Sequence, residues 1–190
     1  AFGIDQDGDL IEDLLEAPGD SDGDGQDDLL DDDDDDDGLP TFFEAHGFGE
    51  RGQDTDGDDL PDYLDNDDDG DGLATSLEDR DADGDVRDDD TDADGLPDYR
   101  DEDDDGDGVE TASEDLSPDG EPRNDDTDDD GTANFLDADD DADGVLTRDE
   151  DPNGDGNPKN DDSDGDGVAN YRDSDDDGDG LATALEAMDD

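Results

Sequence analysis

The apolar residues of this chain keep two registers against a background of aspartate. One is aliphatic and runs through Ile11, Leu39, Leu73, Val109, Val145 and Leu181; the other is mostly aromatic and runs through Leu29, Tyr63, Tyr99, Phe135 and Tyr171. From Tyr63 onward each register advances with a 36-residue period. Apolar residues scattered through a disordered chain would not hold both. The pattern predicts small plugs between successive loops, a series of mini-cores in place of one core.

Around the plugs lie twelve-residue strings of the form D-x-D-x-D-G, with an acid at position 12. First-type strings begin at Asp20, Asp54, Asp90, Asp126 and Asp162. Second-type strings begin at Asp5, Asp33, Asp67, Asp103, Asp139 and Asp175, and weaker third-type strings at Asp79, Asp115 and Asp151. Each full period therefore holds three loops, always in the order first, second, third. Residues 1–53 are a looser version, with Leu10 where Gly is usual and with Ala45–Gln53 replacing a third-type string. Repeats follow over residues 54–89, 90–125 and 126–161, and a partial one over 162–190. The chain begins and ends out of phase with its own repeat, which predicts a segment of a longer tandem array.

Composition narrows the function. Of 190 residues 78 are acidic and 8 basic, a formal charge of −70, and only 24% are apolar. So little apolar surface cannot offset the ordering entropy of an ordinary core. A polyanion would repel nucleic acid, and no apolar run reaches the ~20 residues of a membrane helix. No signal-like segment is read at the N-terminus. Cysteine is absent, which excludes disulfides and thiolate metal sites. The acid is 67 Asp to 11 Glu, a bias suited to tight loops that ligate a cation close to the backbone.

A hard dication such as calcium takes six to eight oxygens at about 2.4 Å. Carboxylates at positions 1, 3 and 5 can wrap it, Gly at 6 permits the turn, the carbonyl of 7 adds an oxygen, and the acid at 12 closes the loop. Position 9 contributes directly or through water. In first-type loops the expected ligands are Asp20, Asp22, Asp24, Asp28 and Asp31; Asp54, Asp56, Asp58, Asp62 and Asp65; and Asp90, Asp92, Asp94, Asp98 and Asp101. The same positions hold Asp126, Asp128, Asp130, Asn134 and Asp137, then Asp162, Asp164, Asp166, Asn170 and Asp173.

In second-type loops the expected ligands are Asp5, Asp7, Asp9 and Glu16; Asp33, Asp35, Asp37 and Glu44; and Asp67, Asp69, Asp71 and Glu78. They continue with Asp103, Asp105, Asp107 and Glu114; Asp139, Asp141, Asp143 and Glu150; and Asp175, Asp177, Asp179 and Glu186. The Glu at 12 can ligate with both oxygens. Third-type loops offer Asp79, Asp81 and Asp83; Asp115 and Asp119; and Asp151, Asn153 and Asp155. Position 2, which is Thr55, Thr91, Thr127 or Ser163 in first-type loops, is expected to point outward. Magnesium prefers a stricter octahedron with retained waters, so all-protein oxygen loops favour calcium. One dication in each of fourteen loops takes the formal −70 to −42, and two in each take it to −14.

Loop starts as close together as Asp67, Asp79 and Asp90 leave no room for the flanking helices of an EF-hand or a dockerin-like pair, and the glycine-rich nonapeptide of a β-roll is absent. The string DTDGDDLPDYLDNDDDGDG at Asp54–Gly72 resembles the thrombospondin type 3 repeat, above all its cysteine-free bacterial and archaeal relatives, and the likeness covers nearly the whole chain. The resemblance implies little regular secondary structure and tandem calcium-stabilised loops wound around a string of ions as an elongated rod or fibre segment. It also implies an extracellular or cell-surface place.

His46, beside Gly47, reads as a loop residue, and no nucleophile–base pair, phosphate loop or cofactor box marks an enzyme. Arg80, Arg87, Arg100, Arg123, Arg148, Lys159 and Arg172 are expected to neutralise surplus carboxylates. Two functions follow: a calcium-rigidified spacer, stalk or filament segment, or a calcium buffer or mineral- or surface-binding polyanion that is largely disordered without metal. Self-association into filaments and attachment to other surface domains stay open.

Overall fold

The computed structural model describes residues 6–9, 11, 19–46, 54–117 and 122–183. Of the expected ligands, Asp5, Glu16, Asp119 and Glu186 lie outside the described residues, as does most of the Ala45–Gln53 segment. Among the described residues there is no strand, one α-helix (α1, Thr41–His46) and a series of three-residue 3-10 turns. Little regular secondary structure is what so short a spacing between glycines and aspartates allows. Such chains cap and turn before a helix can propagate.

The turns fall at fixed places in the strings. In first-type loops they occupy positions 9–11, as at Asp62–Leu64, Asp98–Arg100 and Asn134–Leu136. In second-type loops Thr75–Leu77, Thr111–Ser113 and Thr147–Asp149 take the same positions. In third-type loops they sit one residue earlier, at Val86–Asp88, Pro122–Asn124 and Pro158–Asn160. First- and second-type loops are tied at the neck by one backbone bond, from the N–H of position 9 to the carbonyl of the residue preceding the loop. Thr75 to Asn66, Thr111 to Glu102, Asn134 to Asp125 and Asn170 to Asp161 all lie between 2.8 and 3.0 Å.

The chain divides into two compact units. One comprises Ala1–Asp89 with Leu96–Asp101, the other Asp90–Gly95 with Glu102–Asp190. Inside the first, Leu39, Val86 and Tyr99 form a buried cluster; inside the second, Val109, Ala169 and Tyr171 do so. The plugs therefore join the aliphatic position 7 of one loop to the aromatic position 10 of a loop well beyond its neighbour. A twelve-residue loop is too short to fold over its own interior, so a ring from a distant loop must cover it. Second-type position 7 is buried at Ile11, Leu39, Leu73 and Val109, half-buried at Val145 and exposed at Leu181. First-type position 7 is exposed at Leu60, Leu96 and Val168.

Candidate metal centres

Each loop is built by its own aspartates. The position 5 carboxylate accepts the N–H of position 7, at 2.7 Å for Asp24, Asp37, Asp58, Asp71, Asp107 and Asp143. Position 3 accepts the N–H of position 5, as Asp56, Asp92 and Asp164 do at 2.8–2.9 Å. Position 1 accepts the N–H of position 6, as Asp103 does from Gly108 and Asp162 from Gly167 at 3.1 Å. At positions 3 and 5 these local side-chain turns fix one oxygen of the carboxylate and leave the other to point elsewhere. Position 6 is left-handed, with φ near +95° at Gly72 and +92° at Gly108, in the region that glycine reaches without a Cβ clash. Position 4 is left-handed as well, and there Asp36, Ala82, Ala93, Asp129 and Ala142 tolerate φ between 53° and 64°.

The loop carboxylates converge as the spacing predicts. Asp20, Asp22 and Asp24 bring their oxygens within 4.8 Å of one another, and so do Asp33, Asp35 and Asp37. Two larger groups stand in the second unit: Asp105, Asp107, Glu114 and Asp140, and Asp141, Asp143, Glu150 and Asp176. Each joins positions 3, 5 and 12 of one second-type loop to position 2 of the next. In the first unit Asp69, Asp71 and Glu78 repeat the same three positions, and all three are buried.

Burial is what sets these groups apart. Glu114 is fully enclosed, and neither of its oxygens has a hydrogen-bond partner; the same is true of Glu44, Asp68, Asp140 and Glu150 in nearly complete burial. One oxygen each of Asp35, Asp37, Asp69, Asp105, Asp107, Asp141 and Asp143 is also buried and unbonded. Native proteins rarely leave buried polar atoms unsatisfied, and a buried unpaired carboxylate is costlier still. All-oxygen anionic donors turned inward around a common point fit a hard divalent cation, which would neutralise them together.

The electrostatics agree. Desolvation first, then repulsion from Asp140, Asp107, Asp105 and Asp103, pushes the Glu114 carboxyl up to about 11. Burial and neighbouring acids likewise raise Asp105 to about 8, Asp107 to about 7 and Asp140 to about 9. Asp141 rises to about 7, Glu150 to about 9 and Asp176 to about 6 for the same reasons. In the first unit Asp35 is raised to about 9, Asp37 to about 7, Glu44 to about 11 and Asp68 to about 10, burial leading each time. Without a cation the most enclosed of these groups keep their protons at neutral pH.

First-type loops differ. Their trios Asp54, Asp56 and Asp58; Asp90, Asp92 and Asp94; Asp126, Asp128 and Asp130; and Asp162, Asp164 and Asp166 are exposed or half-exposed. The position 12 acid does return to them. Asp65 is raised by burial and by Asp58 and Asp56, and Asp137 by burial and by Asp130, Asp128 and Asp126. Asp31 and Asp173, equally half-buried, accept the N–H groups of Asp33 and Asp175, and Asp101 is half-buried too.

Position 9 of the first-type loops is bonded to position 2. Asp28 and Asp62 receive both the N–H and the hydroxyl of Ser21 and Thr55, at 2.8–3.0 Å. Asn134 and Asn170 accept the N–H of Thr127 and Ser163 at 2.8 Å and donate back to their hydroxyls. Asp98 is buried in the same register. This polar group closes the loop from inside, and the position 2 hydroxyl turns inward to meet it. The buried guanidinium of Arg100, 3.7 Å from Asp62 and bonded to Thr55, supplies a fixed positive charge there.

In third-type loops Asn153 is turned onto Asp161 at 2.8 Å, which engages its amide in closing the loop. Asp151 takes the N–H groups of Gly156, Asp155 and Gly154, and the Gly156 bond above all holds its carboxyl below the ordinary range. Asp79 takes those of Asp83 and Gly84. Asp81, Asp83 and Asp155 are exposed, and Asp115 is half-buried. In the outlying second-type loops Asp9 is buried and Asp7 half-buried, whereas Asp177 and Asp179 stand further out beside a half-buried Asp175. Asp67, Asp103 and Asp139, at position 1, are half-buried.

The residues that spacing missed are Asp34, Asp68, Asp104 and Asp140, all at position 2 of second-type loops and all buried. A signal was present. Position 2 is Thr or Ser in every first-type string and Asp in every second-type string from Asp33 on, while position 9 shows the reverse, Asp or Asn against Thr. A family model described as BamM C-terminal matches residues 143–190, less than half of the chain. Comparison with curated proteins found no match. Among the described residues no helix is long and apolar enough to cross a membrane.

Proposed function

We propose that the chain is a calcium-binding structural repeat segment, a spacer, stalk or filament element stiffened by many ions into an elongated rod and displayed outside the cell. The observation that carries this reading is the set of enclosed, unbonded carboxylates around Glu114 and Glu150. The chain's 8 basic residues fall far short of balancing its 78 acidic ones. A calcium ion supplies two positive charges and accepts six to eight oxygens, so metal binding and folding become one equilibrium. Extracellular modules of this loop chemistry bind at about 10⁻⁴–10⁻³ M, which suits calcium outside the cell. The reading assigns no catalytic step.

The test is chelation of the full chain, followed by circular dichroism and small-angle scattering. Calcium should convert an expanded coil into an ordered, elongated particle. A compact profile unchanged by chelator would sink the reading. The exposed first-type carboxylates favour a second reading for those loops alone, as weak calcium buffers or mineral-surface contacts. It expects calcium uptake by a chain that stays a coil.

A further inference from the structure

Two position 2 aspartates of second-type loops, Asp140 and Asp176, lie with the carboxylates of the preceding second-type loop. Asp140 donates its N–H to the Oγ1 of Thr147 at 3.3 Å, and Thr147 is fully buried. The position 9 threonine hydroxyl thus closes the loop on the backbone N–H of position 2, and the Asp140 carboxylate is released to lie beside Asp105, Asp107 and Glu114 of the preceding second-type loop. In first-type loops the pair is inverted: the hydroxyl at 2 meets an acid or amide at 9, and no carboxylate is released.

The oxygens at this site can be counted. Oδ2 of Asp105, Oδ2 of Asp107, both oxygens of Glu114 and both of Asp140 are buried without a hydrogen-bond partner. Six oxygens from four carboxylates meet the lower coordination number of calcium without water, a setting magnesium accepts poorly. The group of Asp141, Asp143, Glu150 and Asp176 repeats the plan, with five such oxygens.

We propose that these two groups are calcium sites of their own class, each shared between consecutive repeats, with the position 2 aspartate of the following second-type loop as the bridging ligand. The inference rests on the calcium reading above and adds to it an inter-repeat staple. A loop ion held only by positions 1, 3, 5, 7 and 12 organises a single loop. An ion that also takes Asp140 fixes the loop beginning at Asp103 against the loop beginning at Asp139, so ordering one repeat favours ordering the next. The tandem array then acquires coupling that its sparse apolar plugs cannot supply.

The experiment uses the full chain with Tyr63 and Tyr99 replaced by phenylalanine, leaving Tyr171 as the single tyrosine. Tyr171 lies in the electrostatic reach of Asp140, Glu114 and Asp107, so terbium emission excited through tyrosine reports this site. Asp140→Asn should weaken the binding read by this emission by about tenfold, as expected when one of four charged ligands is lost. Asp149→Asn, an equal change of charge at an exposed residue of the following loop, should change it by less than about twofold. The double variant of Glu114→Gln and Asp140→Asn should lose clearly less than the product of the two single fold-losses, because both ligands serve one ion.

Should Asp140→Asn fail to order in saturating calcium, Asp176→Asn, in the less buried second group, carries the same comparison with calcium-dependent ellipticity as readout. Equal behaviour of Asp140→Asn and Asp149→Asn overturns the bridging site while leaving calcium-dependent folding intact. Independent losses from Glu114 and Asp140 also overturn it, since they would place the two on separate ions. A parent chain indifferent to chelator instead overturns the calcium reading itself.

Discussion

Two loop classes with nearly the same consensus have opposite surroundings. In the loop beginning at Asp103 the carboxylates at 3, 5 and 12 are buried and the position 7 Val109 is a core residue. In the loop beginning at Asp162 the carboxylates at 1, 3 and 5 are exposed, as is the position 7 Val168. The D-x-D-x-D-G string by itself therefore specifies a turn and a convergence of oxygens, and the two classes differ by a two-residue exchange at positions 2 and 9. A hydroxyl at 2 with an acid at 9 makes a self-contained loop. An acid at 2 with a hydroxyl at 9 makes a loop that needs its neighbour.

The largest expected effect separates the classes by pH in the absence of metal. The buried second-type carboxyls have folded values raised to about 7 for Asp107, 8 for Asp105, 9 for Asp140 and 11 for Glu114. A raised folded value adds stability that is complete below the unfolded value near 4 and is lost as pH rises through the folded one. The metal-free chain should therefore be more compact near pH 4 than near pH 8, and calcium should remove that dependence above neutrality. Hydrodynamic radius against pH, with and without chelator, checks this. A metal-free radius that shrinks as pH rises would contradict it.

Next in size is Glu114→Gln, which removes a fully enclosed carboxylate. It should weaken calcium-dependent ordering by at least about tenfold, measured by calorimetric titration. Asp128→Asn, at a half-exposed first-type position, should cost severalfold less. Equal losses would mean that bulk charge, and not burial, sets the affinity.

A smaller effect tests how closely the classes touch. At Gly106, with φ +67°, an added Cβ would collide with the Asp92 carboxylate of the preceding first-type loop. At Gly57, with φ +78°, it would meet nothing. Gly106→Ala should destabilise the calcium-loaded chain by about 1–3 kcal/mol and Gly57→Ala by about 1 kcal/mol, as read from thermal unfolding in saturating calcium. Ala142, tolerated in the equivalent second-type place at φ +53°, sets the lower end of that range.

The smallest expected effect is Thr127→Ala. It removes a half-exposed hydroxyl that accepts from Asn134 at 3.0 Å but leaves the Thr127 N–H donating to the Asn134 Oδ1. A loss of about 0.5 kcal/mol is expected in the same thermal unfolding measurement. Thr147→Val, which strips the buried acceptor of the Asp140 N–H, should cost about 1–3 kcal/mol, because it leaves that donor unsatisfied.

The sequence alone determined the loop. Aspartates at alternate positions bond the amide two places on, glycine at 6 takes a backbone other residues avoid, and apolar residues return in register; all three act within a single string and can be read from spacing. Spacing could not say which carboxylates are buried. Asp104 and Asp140 sit at a position that spacing reads as outward, because that reading treats a loop as complete in itself, and both are buried. Nor could it say that Leu39 meets Tyr99 and Val109 meets Tyr171. Burial belongs to the contact between loops of different repeats. Only the tertiary structure, by stacking one loop against another, decides which oxygens lose their water and are left facing a common point.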